Sequence, residues 1–279
     1  MKYDLAIAYR VYPGISKSPA FHSGDKRRLV ELGLQSLRAA LGDNVRVRFY
    51  ALLDGCPDDY EQLILRYFPG EHTILFRLDR VGNAATFLLQ LQLLMEQSES
   101  EFVYFAEDDY LYRPGTFGKL LDFAASSEDI HFAAPYDYPD YYKLVLHRKC
   151  PEIRSHGGYH WRTAGSTCLT FLTRRSILQQ VAKVFRTYQR GNFDASMWLA
   201  LTKYTVRSPS KALRSAVSSR LEAAIIVKAW LYGWQQLLFG RRYQLWVPLP
   251  SMATHLERTA LAPGVDWEAV AAAVGSIYH

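Results

Sequence analysis

Cysteine is scarce in this 279-residue sequence, and long apolar runs are absent. The three cysteines, Cys56, Cys150 and Cys168, lie far apart and show no metal-binding spacing. We therefore expect reduced thiols and a cytoplasmic protein. No segment reaches the roughly 18 uncharged apolar residues of a membrane-spanning helix. Residues 1–8 are too acidic, and their apolar run is too short, for a signal peptide. These absences predict a protein that is neither secreted by that route nor integral to a membrane.

Blocks of like charge, repeats and low-complexity tracts are absent as well. Lysine and arginine number 33 against 27 acids, which gives a net charge of +6 and a pI near 9.1. This mild basic excess suits a phosphate-bearing ligand, an anionic polymer or an anionic membrane surface. Because no Lys/Arg block appears, we expect no nucleic-acid partner. Hydrophobic residues make up 49% of the chain, which is enough for a sizeable core.

Strand-like and helix-like patterns alternate through the first half of the chain. Strand-like apolar runs occupy residues 5–9, 45–53, 73–76, 102–106 and 131–134, and helical spacing of apolar residues occurs in 26–41, 84–95 and 117–125. This order predicts an α/β fold with a mostly parallel central sheet flanked by helices. Residues 136–162 are rich in Tyr, His, Pro and Gly, which predicts a long loop.

The second half predicts a helical extension within the same domain. Residues 1–205 would form the core and residues 206–279 the extension, with a strand at 244–248 returning to the core. Ser208 and Pro209 are typical of a helix start.

The helical run at 209–239 is basic and contains tryptophan. Such a helix can lie on an anionic membrane, here at its inner face. However, Arg220 and Lys228 fall near the same helical stripe as Leu213 and Leu231. A packed helix, or a pair of shorter ones, is the favoured interpretation, and peripheral membrane contact is the alternative.

The strand at 102–106 ends in three consecutive acids, Glu107, Asp108 and Asp109. Adjacent carboxylates repel one another unless a cation lies among them, and a hard divalent cation prefers oxygen ligands. In open α/β sheets, ligands bind at the carboxyl ends of the strands. The pattern predicts a metal site for a phosphorylated ligand, and a solvated acidic turn is the alternative.

Four segments in order carry a resemblance to a known family. They are Gln35-Ser36-Leu37, Leu52-Leu53-Asp54-Gly55-Cys56-Pro57-Asp58, Arg80-Val81-Gly82-Asn83-Ala84-Ala85 and Glu107-Asp108-Asp109. In this order the sequence resembles inverting glycosyltransferases of the GT-A fold. The resemblance implies a single GT-A domain and metal-dependent transfer of a sugar from a nucleotide-sugar donor to a hydroxyl acceptor, in glycan or polysaccharide assembly.

The resemblance also implies a ligand set for Mn²⁺ or Mg²⁺. Asp109 occupies the position of the direct metal ligand. Glu107, which stands where the family usually has Asp, would face the ribose or a metal-bound water. Asp108 would point to the other side of the strand. Pro250-Ser251-Met252-Ala253-Thr254-His255 resembles the segment that supplies a metal-binding histidine, and a structural role for His255 is the alternative.

Four further residues are candidates for contacts with the nucleotide. Asp54 would accept a hydrogen bond from the nucleobase, or would cap the Asp-Gly turn that it begins. Arg10 and Arg80 would meet the base or the diphosphate, or would be ordinary surface arginines. Asn83 would contact the donor, or would simply cap its helix.

Asp194 is the candidate catalytic base. It lies in Gly191-Asn192-Phe193-Asp194, which resembles the family's acidic motif at a helix start. An inverting transfer needs a carboxylate to take the proton of the acceptor hydroxyl. The alternative is an N-terminal helix acid favoured by the helix dipole. The family motif often has two adjacent acids, whereas Ala195 follows here.

Two other functions are alternatives from the sequence. A nucleotidyltransferase acting on sugar phosphates also joins a nucleotide-binding sheet to metal carboxylates, but usually carries a Gly-rich loop after the first strand. Residues 13–25 contain only two glycines. The other alternative is a non-catalytic protein that binds nucleotide-sugars.

Overall fold

A nine-stranded mixed sheet organises residues 1–15, 18–147, 151–206 and 208–278, which a computed structural model describes. Its strands are β1 (Leu5–Val11), β2 (Val47–Asp54), β3 (Thr73–Leu78), β4 (Phe102–Glu107), β6 (Phe132–Ala133), β7 (Ile153–His156), β8 (Tyr159–Ala164), β9 (Phe171–Arg174) and β10 (Leu245–Leu249). Two more strands, β5 (Tyr110–Tyr112) and β11 (Ala253–His255), form a separate antiparallel ribbon.

Helices cover both faces of this sheet. They are α1 (Lys26–Leu41), α2 (Asp59–Tyr67), α3 (Asn83–Glu96), α4 (Thr116–Ala125), α5 (Asp140–Lys143), α6 (Arg175–Phe185), α7 (Asp194–Thr202), α8 (Pro209–Ser218), α9 (Arg220–Leu238) and α10 (Trp267–Ile277). Short 3₁₀ turns occupy Val145–His147, Arg186–Arg190 and Arg258–Ala260.

The strand order is β3-β2-β1-β4-β9-β6-β10-β8-β7. The first four of these strands are mutually parallel. β9 is antiparallel to both β4 and β6, β10 is parallel to β6, and β8 and β7 pair in antiparallel fashion. The predicted α/β class is confirmed, with parallel pairing concentrated in the half of the sheet built by β1 to β4.

Both faces of β1, in the middle of the parallel strands, are buried. In β1, Leu5, Ile7 and Tyr9 belong to a core shared with α1, α2, α4 and α10. Ala6 and Ala8 belong to a second core shared with α3, α6, α7 and α9. Alternate residues of a strand face opposite sides, so burial on both sides produces a continuous apolar run. This strong pattern explains why the sequence predicts these strands.

The long loop predicted at 136–162 is wrong. α5, a 3₁₀ turn and the β7–β8 hairpin lie there, while residues 148–150, Cys150 included, are outside the described part of the chain. The hairpin turns at Gly157 and Gly158, whose φ angles of 58° and 77° favour glycine. Trp161 of β8 stacks on Phe123 with ring centroids 3.9 Å apart. β7 is an edge strand with an exposed side, so its polar sequence resembles that of a loop.

The segment after residue 207 forms two helices and then returns a strand to the sheet. Ser219 separates the two helices, α8 and α9. Its side chain caps α9 by accepting a hydrogen bond from the Glu222 N–H at 3.0 Å. α9 packs on α7 so closely that a Cβ on Gly233 would lie 2.6 Å from the Ala200 Cβ. β10 then lies between β6 and β8.

The carboxyl ends of β1, β2 and β4 meet at one edge of the sheet. The register places Arg10 of β1 opposite Leu52 and Glu107. The β5–β11 ribbon pairs His255 with Tyr110, the residue that follows Asp109. The topology therefore gathers the acidic end of β4, the end of β1 and His255 where open α/β sheets bind ligands.

Candidate active site

One cavity of about 520 Å³ opens at the carboxyl ends of β1, β2 and β4. Most of the predicted site residues line it, namely Arg10, Asp54, Arg80, Asn83, Glu107, Asp108 and Asp109. Small-molecule sites typically measure about 300–1,000 Å³. The other two predicted residues lie close by, because His255 contacts Asp109 and Asp194 lines a second cavity.

Arg10 is the centre of a hydrogen-bond network in the cavity wall. Its guanidinium pairs with Glu107 and donates to both the side chain and the main-chain oxygen of Asn83. The other Glu107 oxygen accepts a hydrogen bond from Thr170 Oγ1 at 2.9 Å, and Asn83 Nδ2 donates to Tyr188 Oη at 2.9 Å. Gly82, not Asn83, is the N-cap of α3. The Asn83 side chain therefore orients Arg10 rather than capping a helix.

Asp108 supports the loop after β1. Its carboxylate lies 2.9 Å from Lys26 Nζ and accepts a hydrogen bond from the Tyr12 N–H at 3.0 Å. Burial raises the pKa of Asp108 to about 6, against the lowering effect of Lys26. The nearby charge of Asp109 contributes to this rise. Asp108 borders the cavity, but its carboxylate is engaged by the protein itself.

Asp109 and His255 form a largely buried ion pair, with 3.1 Å between Asp109 Oδ2 and His255 Nε2. Burial opposes the charge on both groups, but the pairing outweighs it. The pKa of Asp109 is lowered and the pKa of His255 is raised to about 9. The other oxygen, Asp109 Oδ1, is buried and has no hydrogen-bond partner among the described residues. A buried acceptor in this state is costly, so it marks a point where a bound group would be stabilising.

Asp54 and Arg80 shape the far side of the cavity. Asp54 is buried, and its two oxygens accept hydrogen bonds from the Val81 N–H at 2.7 Å and the Gly82 N–H at 2.9 Å. It therefore holds the loop that enters α3, rather than the turn at Gly55. Arg80 is exposed, has a φ of 49° and lies against Gly55, where a Cβ would meet its Cγ at 2.5 Å. Glycine at position 55 makes room for this arginine.

Asp109 and His255 fit a divalent cation that a bound ligand also coordinates. Within the described ranges, no cluster of three or more His, Cys, Asp or Glu side chains is arranged to hold a metal. Two protein ligands suit Mg²⁺ or Mn²⁺ when phosphate oxygens and waters supply the remaining positions. The unpartnered Asp109 Oδ1 provides the oxygen that such a cation prefers. The pair does not fit a metal coordinated by protein alone.

Asp194 lines a second cavity, of about 230 Å³, together with His147, Cys168 and Asp140. Its Oδ1 accepts a hydrogen bond from the Ala195 N–H at 2.6 Å. Burial raises the pKa of Asp194, while the Ala195 N–H lowers it and the charge of Glu107 raises it. A buried carboxylate with a raised pKa is a stronger base than an exposed one. The charges of Glu107 and Arg10, which line the first cavity, both act on the Asp194 carboxylate.

Four residues of the site were not among those predicted from the sequence. They are Lys26, Thr170, Tyr188 and Cys168, which contact or border the predicted ones. Lys26 begins an amphipathic helix, where a lysine is normally solvated, so its burial was not predictable from the pattern. Cys168 and Thr170 lie in a short strand-like stretch at 167–172, and this pattern does not specify a role for either residue.

We predict that two buried histidines lower the free energy of unfolding in acid. Burial lowers the pKa values of His131 and His147 from 6.5 to about 4. The unfolded chain therefore binds protons more readily, and stability present above pH 6.5 is lost as the pH falls towards 4. We expect each histidine to cost on the order of 2–3 kcal/mol by pH 4.

Urea unfolding of the wild type and of His147→Gln at pH 7 and pH 4.5 measures this effect. The variant is expected to lose less stability than the wild type on acidification. An equal loss in both proteins would show that His147 does not titrate as described. His160→Gln, which alters an exposed histidine, is the matched control.

Solved structures show a distant similarity to this chain, and three of them illustrate it. No known family profile matches the sequence, and no curated protein matches it. Glucosyl-3-phosphoglycerate synthase from Mycobacterium tuberculosis, in complex with Mg²⁺ and uridine diphosphate, matches at 12% identity and a TM-score of 0.40, over 62% of this chain and 57% of that chain. S. aureus TarS 1–349 matches at 12% identity and a TM-score of 0.46, over 81% of this chain and 70% of that chain. The bifunctional glycosyltransferase WbbM matches at 10% identity and a TM-score of 0.42, over 73% of this chain and 38% of that chain. The match to the synthase covers less than two thirds of that protein's length, and identities this low do not transfer an activity.

Proposed function

We propose that this protein is a metal-dependent glycosyltransferase that moves a sugar from a nucleotide-sugar donor to a hydroxyl acceptor, with inversion, in glycan or polysaccharide assembly. One observation carries the proposal. The residues predicted to bind the donor line a single cavity at the carboxyl ends of the strands, and a half-buried carboxylate, Asp194, lines a second cavity. Donor and acceptor would occupy the two cavities.

The larger cavity suits a nucleoside diphosphate. Arg80 is exposed and borders it, so its guanidinium is available to phosphate oxygens. No side chain caps α3 at Gly82, and the N-terminus of a helix favours anions. Asp54 keeps a lone pair on each oxygen after accepting its two main-chain hydrogen bonds, so it can also accept from a nucleobase. Its first role is to fix the loop that carries Arg80.

Asp109 and His255 would hold the cation, Mn²⁺ or Mg²⁺. When bound, the cation would stabilise the negative charge of the departing diphosphate as a Lewis acid. A metal-binding imidazole must be neutral, so metal binding would release the proton that Asp109 keeps on His255. Glu107 is oriented by Arg10 and Thr170, and we assign it to the ribose.

Asp194 would take the proton from the acceptor hydroxyl as that oxygen attacks the sugar. Its raised pKa increases its basicity towards an alcohol. A base on the acceptor side, separate from the groups that hold the diphosphate, is the arrangement that direct displacement with inversion requires. The small cavity around it is the proposed place of the acceptor hydroxyl.

A thermal-unfolding screen tests the donor assignment. A panel of nucleoside diphosphates with Mn²⁺ is expected to contain a member that raises the melting temperature, because a ligand bound only by the folded state stabilises it by about 2.7 kcal/mol at one hundred times its Kd. Chelation by EDTA should abolish this rise, and Mn²⁺ without nucleotide should produce little of it. A rise in melting temperature that persists in EDTA would contradict the proposal. So would the absence of any rise across the whole panel.

A further inference from the structure

The helix α9 is apolar on two opposite sides. One side packs on α7 and is buried through Ile225, Ala229 and Leu237. The other side is exposed, and we call it the α9 stripe: Val227, Leu231, Trp234 and Leu238, which are 62%, 65%, 47% and 52% exposed. Residues at this spacing lie on one face of a helix. A helix that is apolar all round is normally covered on every side.

Positive charge lies at both ends of this stripe. Arg220 lies seven residues before Val227 and so continues the stripe at its N-terminal end, while Arg241 and Arg242 follow its C-terminal end. All three are exposed. Lys228, in contrast, is turned inward, where its Nζ donates to the Gly191 main-chain oxygen and lies 3.5 Å from the centroid of the Phe193 ring.

Negative charge is lacking on the exposed sides of α8 and α9. Glu222 is the sole acid in the sequence of α8 and α9, and it is buried. Its carboxylate accepts hydrogen bonds from Ser215, Ser218 and the Leu146 N–H. The exposed part of the two helices therefore offers cations and apolar groups together, which favours an anionic partner with an apolar interior.

We propose that the α9 stripe lies in the interface of an anionic lipid bilayer. A second copy of the chain would bring like charges together, whereas anionic headgroups neutralise them. No helix of the described residues is long and apolar enough to cross a membrane, and an interfacial helix needs only one apolar side. The stripe would enter the headgroup region with Arg220, Arg241 and Arg242 at the level of the phosphates.

The proposed membrane face adjoins the Asp194 cavity. Leu221 and Ile225, both at the start of α9, line that cavity, and Leu221 is also 56% exposed. If the cavity binds the acceptor, as the proposed function has it, then the bilayer lies close to the acceptor. Lipid binding itself does not depend on that function and can be tested without it.

Vesicle sedimentation tests the proposal. The wild-type chain should pellet with vesicles of equal parts phosphatidylcholine and phosphatidylglycerol, and much less with phosphatidylcholine alone. Leu231→Glu/Trp234→Glu should lower the partition coefficient at least about tenfold, because two exposed apolar groups would no longer enter the interface. Ile277→Glu, which alters an equally exposed residue on α10, is the matched control and should bind as the wild type does.

A charge variant keeps the test valid if the first variant unfolds. Arg220→Gln/Arg242→Gln removes one exposed cation at each end of the α9 stripe and should weaken binding to the anionic vesicles about tenfold or more, since each cation near such a surface contributes. Absence of wild-type binding, or equal binding to neutral vesicles, would overturn the proposal. An equal loss of vesicle binding in Ile277→Glu would also overturn it. So would a wild-type chain that does not bind vesicles but forms a concentration-dependent dimer, if Leu231→Glu/Trp234→Glu abolishes that dimer.

Discussion

Asp109→Ala is expected to lower sugar transfer by about a thousandfold or more, because a cation at the leaving group contributes several kcal/mol to the transition state. Asp109 offers the unpartnered buried oxygen of the site and holds His255 beside it. Its removal would take away one of two protein ligands. Initial rates over a range of Mn²⁺ concentrations, with the donor found in the thermal screen, measure the effect.

Asp109→Ala also leaves His255 without its buried partner, which by itself can destabilise the protein. Asp109→Asn separates the two effects, since it keeps the shape and an acceptor oxygen but loses the charge. Asp108→Asn is the matched control, because the Asp108 carboxylate is engaged by Lys26 and Tyr12. The Mn²⁺ concentration for half-maximal rate should rise in Asp109→Asn and stay near the wild-type value in Asp108→Asn. Wild-type turnover in folded Asp109→Asn would refute the metal assignment.

Asp194→Asn is expected to lower kcat about 10²–10⁴-fold with little change in the KM for the donor, the loss typical of a removed general base. The physical reason is that Asp194 lies outside the donor cavity and would act only on the acceptor proton. Asp140→Asn changes another aspartate of the same cavity and should retain most of the activity. Equal losses in kcat and donor affinity would argue against the base role.

The pH profile gives an independent reading of the same carboxylate. Burial raises the pKa of Asp194 above its ordinary value of 3.8. The base acts only when ionised, so kcat of the wild type should fall as the pH falls through this raised pKa. Asp194→Asn should lack that acidic limb. A limb of unchanged position in the variant would assign it to another group.

The sequence predicts β1, β2 and β4 well because burial on two sides leaves an unambiguous pattern. β4 shows this most clearly, since its buried residues run without a break into Glu107. The β7–β8 hairpin was missed because an edge strand with an exposed side carries polar and aromatic residues, which also characterise loops. One-sided exposure removes the signal that two-sided burial creates.

The site was predictable in its residue types but not in its contacts. Asp109 and His255 are 146 positions apart, and only the β5–β11 ribbon brings them within 3.1 Å. The sequence did not reveal that the Asp54 carboxylate holds the loop before α3, whereas its expected contact with the nucleobase stays a prediction. Such contacts depend on the relative position of distant segments, which no local pattern contains.

Binding of Mn²⁺ is the sharpest test of the proposed cation at Asp109, because it requires neither the correct sugar nor the acceptor. Electron paramagnetic resonance of free Mn²⁺ in the presence of protein and a stabilising nucleoside diphosphate reports how much metal is bound. With the same nucleotide present, we expect the wild type to bind about one more Mn²⁺ per chain than Asp109→Asn does. Equal binding by the wild type and Asp109→Asn would contradict it.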